Sequence, residues 1–241
     1  MSMSSQNSAP ENRFAIRNWH DLAGTIDHTN LRPEATPGEI IRLCEEAKEF
    51  GFASVMVNAC RTALAHAHLK DTRVKVGTVV GFPLGATLTA VKRFETIEAM
   101  RLGAREIDMV MNIGAVKAGE SDFVLADILA VAEAVHGQGA LLKVILETSL
   151  LTNDEKRMAC ETSERAGADF VKTSTGFLGG VATVEDVRLM RMAVKIGVKA
   201  SGGIKSARDA QAMIHAGANR LGTSSGVRII REMREAAAVD K

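Results

Sequence analysis

The sequence predicts an α/β fold, a closed parallel (β/α)8 barrel of the TIM type with a short extra helix at its N-terminus. Three observations lead there. Short, β-branched apolar segments alternate with amphipathic segments from end to end. No change in composition interrupts that alternation as a linker would. The length of 241 residues suits one such barrel, which typically takes about 250. An open doubly wound sheet is the alternative. It would be favoured by a GxGxxG after the first strand, which this chain lacks.

The elements follow in order. Residues 1–10 are polar and serine-rich and read as a flexible tail, leaving residues 11–241 as one barrel domain. An amphipathic stretch over Phe14–Leu22 gives the extra helix, placed to cover the barrel bottom. Strands are expected at Gly24–Thr29, Ala53–Asn58, Lys75–Val80, Glu106–Asn112, Leu141–Thr148, Asp169–Ser174, Val198–Ser201 and Arg220–Thr223. After the first strand, Ile40, Leu43, Cys44 and Ala47 recur at helical spacing. Thr36-Pro37 opens that helix as N-cap and first residue, and Gly51 closes it. Thr152 and Thr183 open later helices, each followed by an acidic first turn.

Composition narrows the function classes. Hydrophobic residues make up 46% and the net charge is +1, so nothing attracts nucleic acid or an anionic membrane in bulk. No apolar run approaches the ~18 residues of a membrane span. The three cysteines, Cys44, Cys60 and Cys160, form neither a CxxC pair nor a disulfide framework and suit a reducing cytoplasm. No metal-ligand spacing appears.

The chemistry lies in charged residues placed where strands should be apolar. Successive strand side chains point to opposite faces. In the fourth strand Ile107, Met109 and Met111 face the helices, leaving Glu106 and Asp108 inside. In the fifth, Leu142, Val144 and Leu146 face out, leaving Lys143 and Glu147. Lys172, Lys199 and Asp27 read the same way, so three lysines and two aspartates converge near the carboxyl ends of the strands, where barrel active sites sit. A structural ion-pair layer is the alternative, but such layers stabilise weakly. A lysine with an ordinary pKa of about 10.4 holds little free amine at neutral pH. A second ammonium nearby and desolvation favour the neutral amine, which can attack a carbonyl. Lys172 and Lys199, inside the barrel on adjacent strands, supply that arrangement, and a carboxylate such as Asp108 can carry the protons.

The last third of the chain supplies an anion site. The seventh strand runs into Gly202-Gly203 and the eighth into Gly222-Thr223-Ser224-Ser225-Gly226, just before the last helix. Backbone N–H groups there can approach a phosphate, in the loops this fold uses for it. Gly176 adds a third backbone arm and Lys205 a nearby cation. Read singly, each glycine pair is equally a tight turn.

Several segments together resemble the deoxyribose-phosphate aldolases, class I aldolases. The most specific are Val171-Lys172-Thr173-Ser174-Thr175-Gly176 and Lys199-Ala200-Ser201-Gly202-Gly203-Ile204. Ile26-Asp27-His28-Thr29, residues 79–85, Glu106–Asn112 and Leu142–Thr148 add to them in the family's order. The resemblance implies reversible cleavage of 2-deoxy-D-ribose 5-phosphate to acetaldehyde and D-glyceraldehyde 3-phosphate, in deoxyribonucleoside catabolism, with no metal and no cofactor. It implies Lys172 as the Schiff-base lysine, Lys199 as the second active-site lysine and Asp108 as the proton shuttle. Asp27, Thr29 and Lys143 match supporting positions, and Gly202, Gly203, Ser224 and Ser225 match phosphate contacts. A homo-oligomer, with a dimer favoured, is the quaternary expectation. Two positions depart from the pattern. Met56 stands where many relatives carry cysteine, and Phe177 where some carry lysine. A related aldolase with another acceptor, or a non-catalytic phosphosugar-binding barrel, are the competing readings.

Overall fold

Eight parallel strands close on themselves in sequence order, the first pairing with both the second and the eighth. The computed structural model describes residues 16–239. The strands are β1 (Ile26–Asn30), β2 (Ser54–Val57), β3 (Lys75–Val80), β4 (Glu106–Val110), β5 (Leu141–Ile145), β6 (Phe170–Lys172), β7 (Gly197–Ser201) and β8 (Arg220–Thr223). Outside them run α1 (Trp19–Ala23), α2 (Pro37–Phe50), α3 (Thr62–Leu69), α4 (Thr89–Arg101), α5 (Ile113–Lys117), α6 (Ser121–His136), α7 (Asn153–Arg165), α8 (Val184–Ala193), α9 (Ala207–His215) and α10 (Gly226–Val239). The predicted TIM barrel is the observed fold.

Local chemistry explains the element ends. Thr36 and Glu39 close a reciprocal capping box on α2, with Pro37 in the first turn and Gly51 left-handed after it. Thr152 with Glu155 does the same for α7, and Ser206 with Asp209 for α9. The extra helix begins later than its apolar periodicity, because the Asn18 side chain accepts from the backbone N–H of His20 and Asp21 and so fixes the start. Phe14, like the tail of residues 1–10, lies outside the described residues. The fourth strand stops at Val110 because Asn112 caps α5, accepting from the Ala115 N–H. The fifth stops at Ile145, where Glu147 turns left-handed into a short 3-10 turn.

The hydrophobic core lies between the outer face of the barrel and its helices. Ile107, Met109, Met111, Leu142, Val144 and Leu146 all pack there, fully buried. Burying such a side chain contributes about 1.5–3 kcal/mol. This shell leaves the barrel interior free for polar groups, and register sets which of them meet. Asp108 lies level with Lys143, Lys172 with Lys199, and Lys199 with Arg220.

Candidate active site

The interior of the barrel holds one continuous charge cluster. Lys143, Lys199, Asp27 and Asp108 are completely buried, Glu106 nearly so, and Lys172 keeps 3% exposure. Asp108 is the hub. Its Oδ2 accepts from Lys172 Nζ at 2.9 Å and from Lys199 Nζ at 2.8 Å, and its Oδ1 from Lys143 Nζ at 2.9 Å. The two candidate lysines therefore share one oxygen atom. Lys199 also pairs with Asp27. Lys143 reaches Glu106 at 2.6 Å, and Ser54 donates to Asp27 at 2.6 Å.

Beneath the hub lies a cation that strand reading did not single out. Arg220 opens β8 and donates to Asp27 Oδ1 at 2.6 Å and to Glu106 at 3.2 Å. Its guanidinium also lies 5.6 Å from the centre of the Phe170 ring. The available signal was parity, since Arg220 stands two residues before Gly222, on the same face of the strand. Glu106 was read as inward-facing, yet its part in this lower belt depends on a partner four strands away. The cluster thus sets four cations (Lys143, Lys172, Lys199, Arg220) against three carboxylates (Asp27, Glu106, Asp108). One positive charge is in excess.

Lys172 carries the adjustment. Burial drives its pKa down, Asp108 opposes this, and the Lys199 and Lys143 ammonium groups push it down further, to about 8. Desolvation is the larger cause, ahead of the neighbouring ammonium groups. Asp108 and Lys143 move the opposite way, toward their charged forms. Burial works against the charge of Asp108, but Lys143, Lys172 and Lys199 hold its carboxyl well below the usual range. Burial likewise opposes the charge of Lys143, yet Asp108, Glu106 and Asp27 raise its pKa. With Lys172 neutral and the rest charged, the cluster balances.

About a tenth of the Lys172 side chains are then free amine at pH 7, against fewer than ~0.1% for an unperturbed lysine. The rate of attack on a carbonyl should rise about tenfold per pH unit below 8 and level off above it. Replacing Lys199 with leucine removes a cation that depresses the Lys172 pKa and loosens a competitor for Asp108. Both effects raise that pKa, so the rising limb of the pH–rate profile should move up by about one unit, with about tenfold slower attack at pH 7. An unmoved limb would remove Lys199 from this role.

Above the cluster, at the carboxyl ends of the strands, opens a cavity of about 580 Å³. Thr29, Gly176, Gly202, Gly203, Gly222 and Ser224 line it, with Arg32, Arg42 and Lys205 among its cations. Lys143, Lys172 and Lys199 do not line this cavity themselves; Gly222 connects it to the cluster. A Cβ there would lie 2.6 Å from Ser201 Oγ and 3.0 Å from Lys199 Cε, so only glycine lets β7 and β8 close over the amine. Gly176, Gly202 and Gly203 all have positive φ and present backbone to the cavity. Thr29 donates to the Asp27 carbonyl at 2.9 Å.

Ser225 departs from the expected grouping. It lines an adjoining depression beside α10, which shares His28, Glu46 and Ser224 with the cavity, and its N–H donates to Thr223 Oγ1 at 2.9 Å. Its amide is already engaged, which leaves Ser224 as the serine on the cavity. Of the two departures noted in the sequence, Met56 is buried against Leu31 and Val79, and Phe177 meets Phe82 edge-on at 5.1 Å beside the cavity.

A family model described as DeoC/LacD family aldolase matches residues 22–233. The chain belongs to this family. DeoC/LacD relatives include the deoxyribose-phosphate aldolase of Thermoanaerobacter sp. (strain X514), 57% identical over 88% of this chain and 96% of the relative. The enzyme of that name from Thermococcus gammatolerans is 57% identical over 90% and 98%. A solved structure of deoxyribose phosphate aldolase from Aeropyrum pernix, described as tetrameric, superposes with a TM-score of 0.86. It is 33% identical, over 91% of this chain and 93% of that one. The aldolase barrel is therefore shared along nearly the whole length.

Proposed function

We propose that this DeoC/LacD family enzyme is a class I aldolase that reversibly cleaves 2-deoxy-D-ribose 5-phosphate to acetaldehyde and D-glyceraldehyde 3-phosphate. The observation that carries the reading is the Lys172 amine, held near neutral pH by burial within bonding distance of Asp108. The neutral amine of Lys172 adds to C1 of the open-chain aldehyde. Asp108, directly or through water, moves the protons that turn the carbinolamine into an iminium ion with loss of water. Deprotonation of the C3 hydroxyl then breaks the C2–C3 bond. The electron pair passes into the C1–C2 enamine, and the three-carbon aldehyde phosphate departs. Protonation of C2 and hydrolysis release acetaldehyde and restore the amine.

The cavity of Gly176, Gly202, Gly203, Gly222 and Ser224 suits the phosphate, with Lys205 adding positive charge. Thr29, Asp27 and Lys143 support the reacting end. Ser225 acts in this reading only through its neighbour Thr223.

Borohydride trapping tests the core of the proposal. Acetaldehyde and borohydride should leave one reduced two-carbon adduct, which peptide mapping places on Lys172. Folded protein with excess acetaldehyde and no adduct would favour a binding-only barrel.

The quaternary reading is a homodimer. Leu88, at the N-cap of α4, and Val91 and Phe94 within it form an exposed apolar stripe at three-residue spacing, suited to a second copy, and the Aeropyrum pernix relative is described as tetrameric. A monomeric mass by light scattering would overturn it. The three cysteines are free, as a reducing cytoplasm would keep them, and among the described residues no helix is long and apolar enough to cross a membrane.

A further inference from the structure

Glu147 is a non-glycine residue with positive φ, at φ 55° and ψ 64°, alone in this among the described residues. Such a conformation costs about 1–3 kcal/mol and persists only where the surroundings impose it. Here the chain on both sides is tied to the nucleophile's strand. The Leu146 N–H donates to the Lys172 carbonyl at 2.9 Å, and the Thr148 N–H to the Thr173 carbonyl at 3.0 Å. A glycine would relax this turn, so the side chain must supply what the backbone gives up.

That side chain is fully buried, and no ion pair to it is found among the described residues. Its Oε2 accepts from the Thr175 N–H at 3.0 Å and from Thr175 Oγ1 at 2.6 Å. Thr175 Oγ1 in turn accepts from the Phe177 N–H at 3.1 Å. The far side of the loop covers the carboxyl group. A Cβ on Gly180 would lie 2.8 Å from Glu147 Oε1 and 2.4 Å from Ser149 Oγ. Two residues on, the Ala182 N–H donates to the Gly202 carbonyl at 3.0 Å. The segment pinned by Glu147 therefore runs from just after Lys172 to Gly202 and supplies Thr175, Gly176 and Phe177 to the cavity wall. Glu147 Oε1 and the nearby Ser174 Oγ remain buried without partners.

We infer that Glu147 is a positioning residue, whose buried carboxyl group holds the 175–182 loop against β7 and so shapes the acceptor end of the pocket. The inference rests on reading that end as the place of the phosphorylated fragment. It assigns Glu147 no contact with the reacting carbon. Its loss should weaken binding of the phosphorylated sugar while leaving the amine of Lys172 competent.

The test compares wild type with Glu147→Gly, Glu147→Asn and Glu147→Gln in two assays, steady-state cleavage of 2-deoxyribose 5-phosphate and borohydride trapping of acetaldehyde. Glycine and asparagine both accept the left-handed backbone, but neither reaches Thr175. Both should raise KM about tenfold or more, with kcat within about threefold, as expected for loss of a pair of buried hydrogen bonds. Both should trap acetaldehyde as wild type does. Glutamine, whose amide oxygen can still accept from Thr175, should bring KM back to within about threefold of wild type. Two variants guard against a folding failure in either one. An unmoved KM in the folded glycine or asparagine variant overturns the inference. So does a fall in kcat with KM unchanged, loss of trapping, or a glutamine variant no better than glycine. Failure of the wild-type protein to trap acetaldehyde would instead bring down the Schiff-base reading, leaving the two failures distinguishable.

Discussion

Lys172→Leu is expected to abolish cleavage, by at least about 10⁴-fold or more than ~5 kcal/mol of transition-state stabilisation, and to remove the trappable adduct altogether. No other lysine in the cluster should replace it. Lys143 is tied to Asp108 and Glu106 and its pKa is raised, so its amine is not free near neutral pH. Lys199 is completely buried, whereas Lys172 retains some exposure. The variant should stay folded. Losing Lys172 removes the surplus charge and leaves three cations facing three carboxylates, with Asp108 still bonded to Lys143 and Lys199, so no buried charge is left uncompensated. Binding of a phosphorylated ligand should survive, because the glycine-lined cavity does not include Lys172. Adduct formation comparable to wild type would refute the assignment.

Asp108→Asn should produce a different defect. Asparagine keeps the shape but removes the negative charge shared by three lysine amines. Leaving buried ammonium groups underpaired costs about 3–5 kcal/mol of stability, which thermal or denaturant unfolding would read. The pKa of Lys172 should fall below 8, because Asp108 is the group that raises it. The rising limb of the pH–rate profile then moves to lower pH, opposite to Lys199→Leu. More free amine alone would predict faster attack. Turnover should nevertheless drop about 10²–10⁴-fold at the plateau, the range for losing a general acid–base group. A plateau that holds while the limb shifts would confine Asp108 to electrostatics and exclude it from proton transfer.

The pair of variants also separates two roles of the cluster. Salt-bridge layers stabilise weakly, so a cluster serving only the fold should tolerate neutral replacements with small effects on rate. The excess cation, and a lysine whose pKa is lowered to about 8 beside one whose pKa is raised, argue that this one is arranged for chemistry. The Arg220–Glu106 belt belongs to the fold side. It fixes Asp27 and Lys143 and lies at the start of β8 and β4, away from the mouth.

Strand parity alone placed Lys172, Lys199, Lys143, Asp27 and Asp108 on inner faces, because a period of two is a local property of extended chain. Alternation of strand and helix likewise gave the barrel, since parallel strands joined by helices have few ways to close. Thr36, Pro37 and Gly51 wrote both ends of α2 directly into the sequence, and Thr152 and Thr183 the starts of α7 and α8. What parity could not supply was distance between strands. Register across the closed sheet decided that Lys172 and Lys199 share one oxygen of Asp108, and that Arg220 reaches Glu106 from the opposite side of the barrel. Burial, which only packing sets, outweighed the neighbouring ammonium in lowering the Lys172 pKa. Ser225 shows the same limit at the anion site, where its N–H is taken up by Thr223 and it lines the adjoining depression, while Ser224 lines both. Glu147 is the clearest case. Its inward face was legible, but its left-handed backbone and its hold on Thr175 arise from two strand ends meeting a loop 28 residues away in the chain. Sequence determined which chemistry the barrel could contain; tertiary structure determined which atoms meet, because bonding distance and desolvation are properties of neighbours in space.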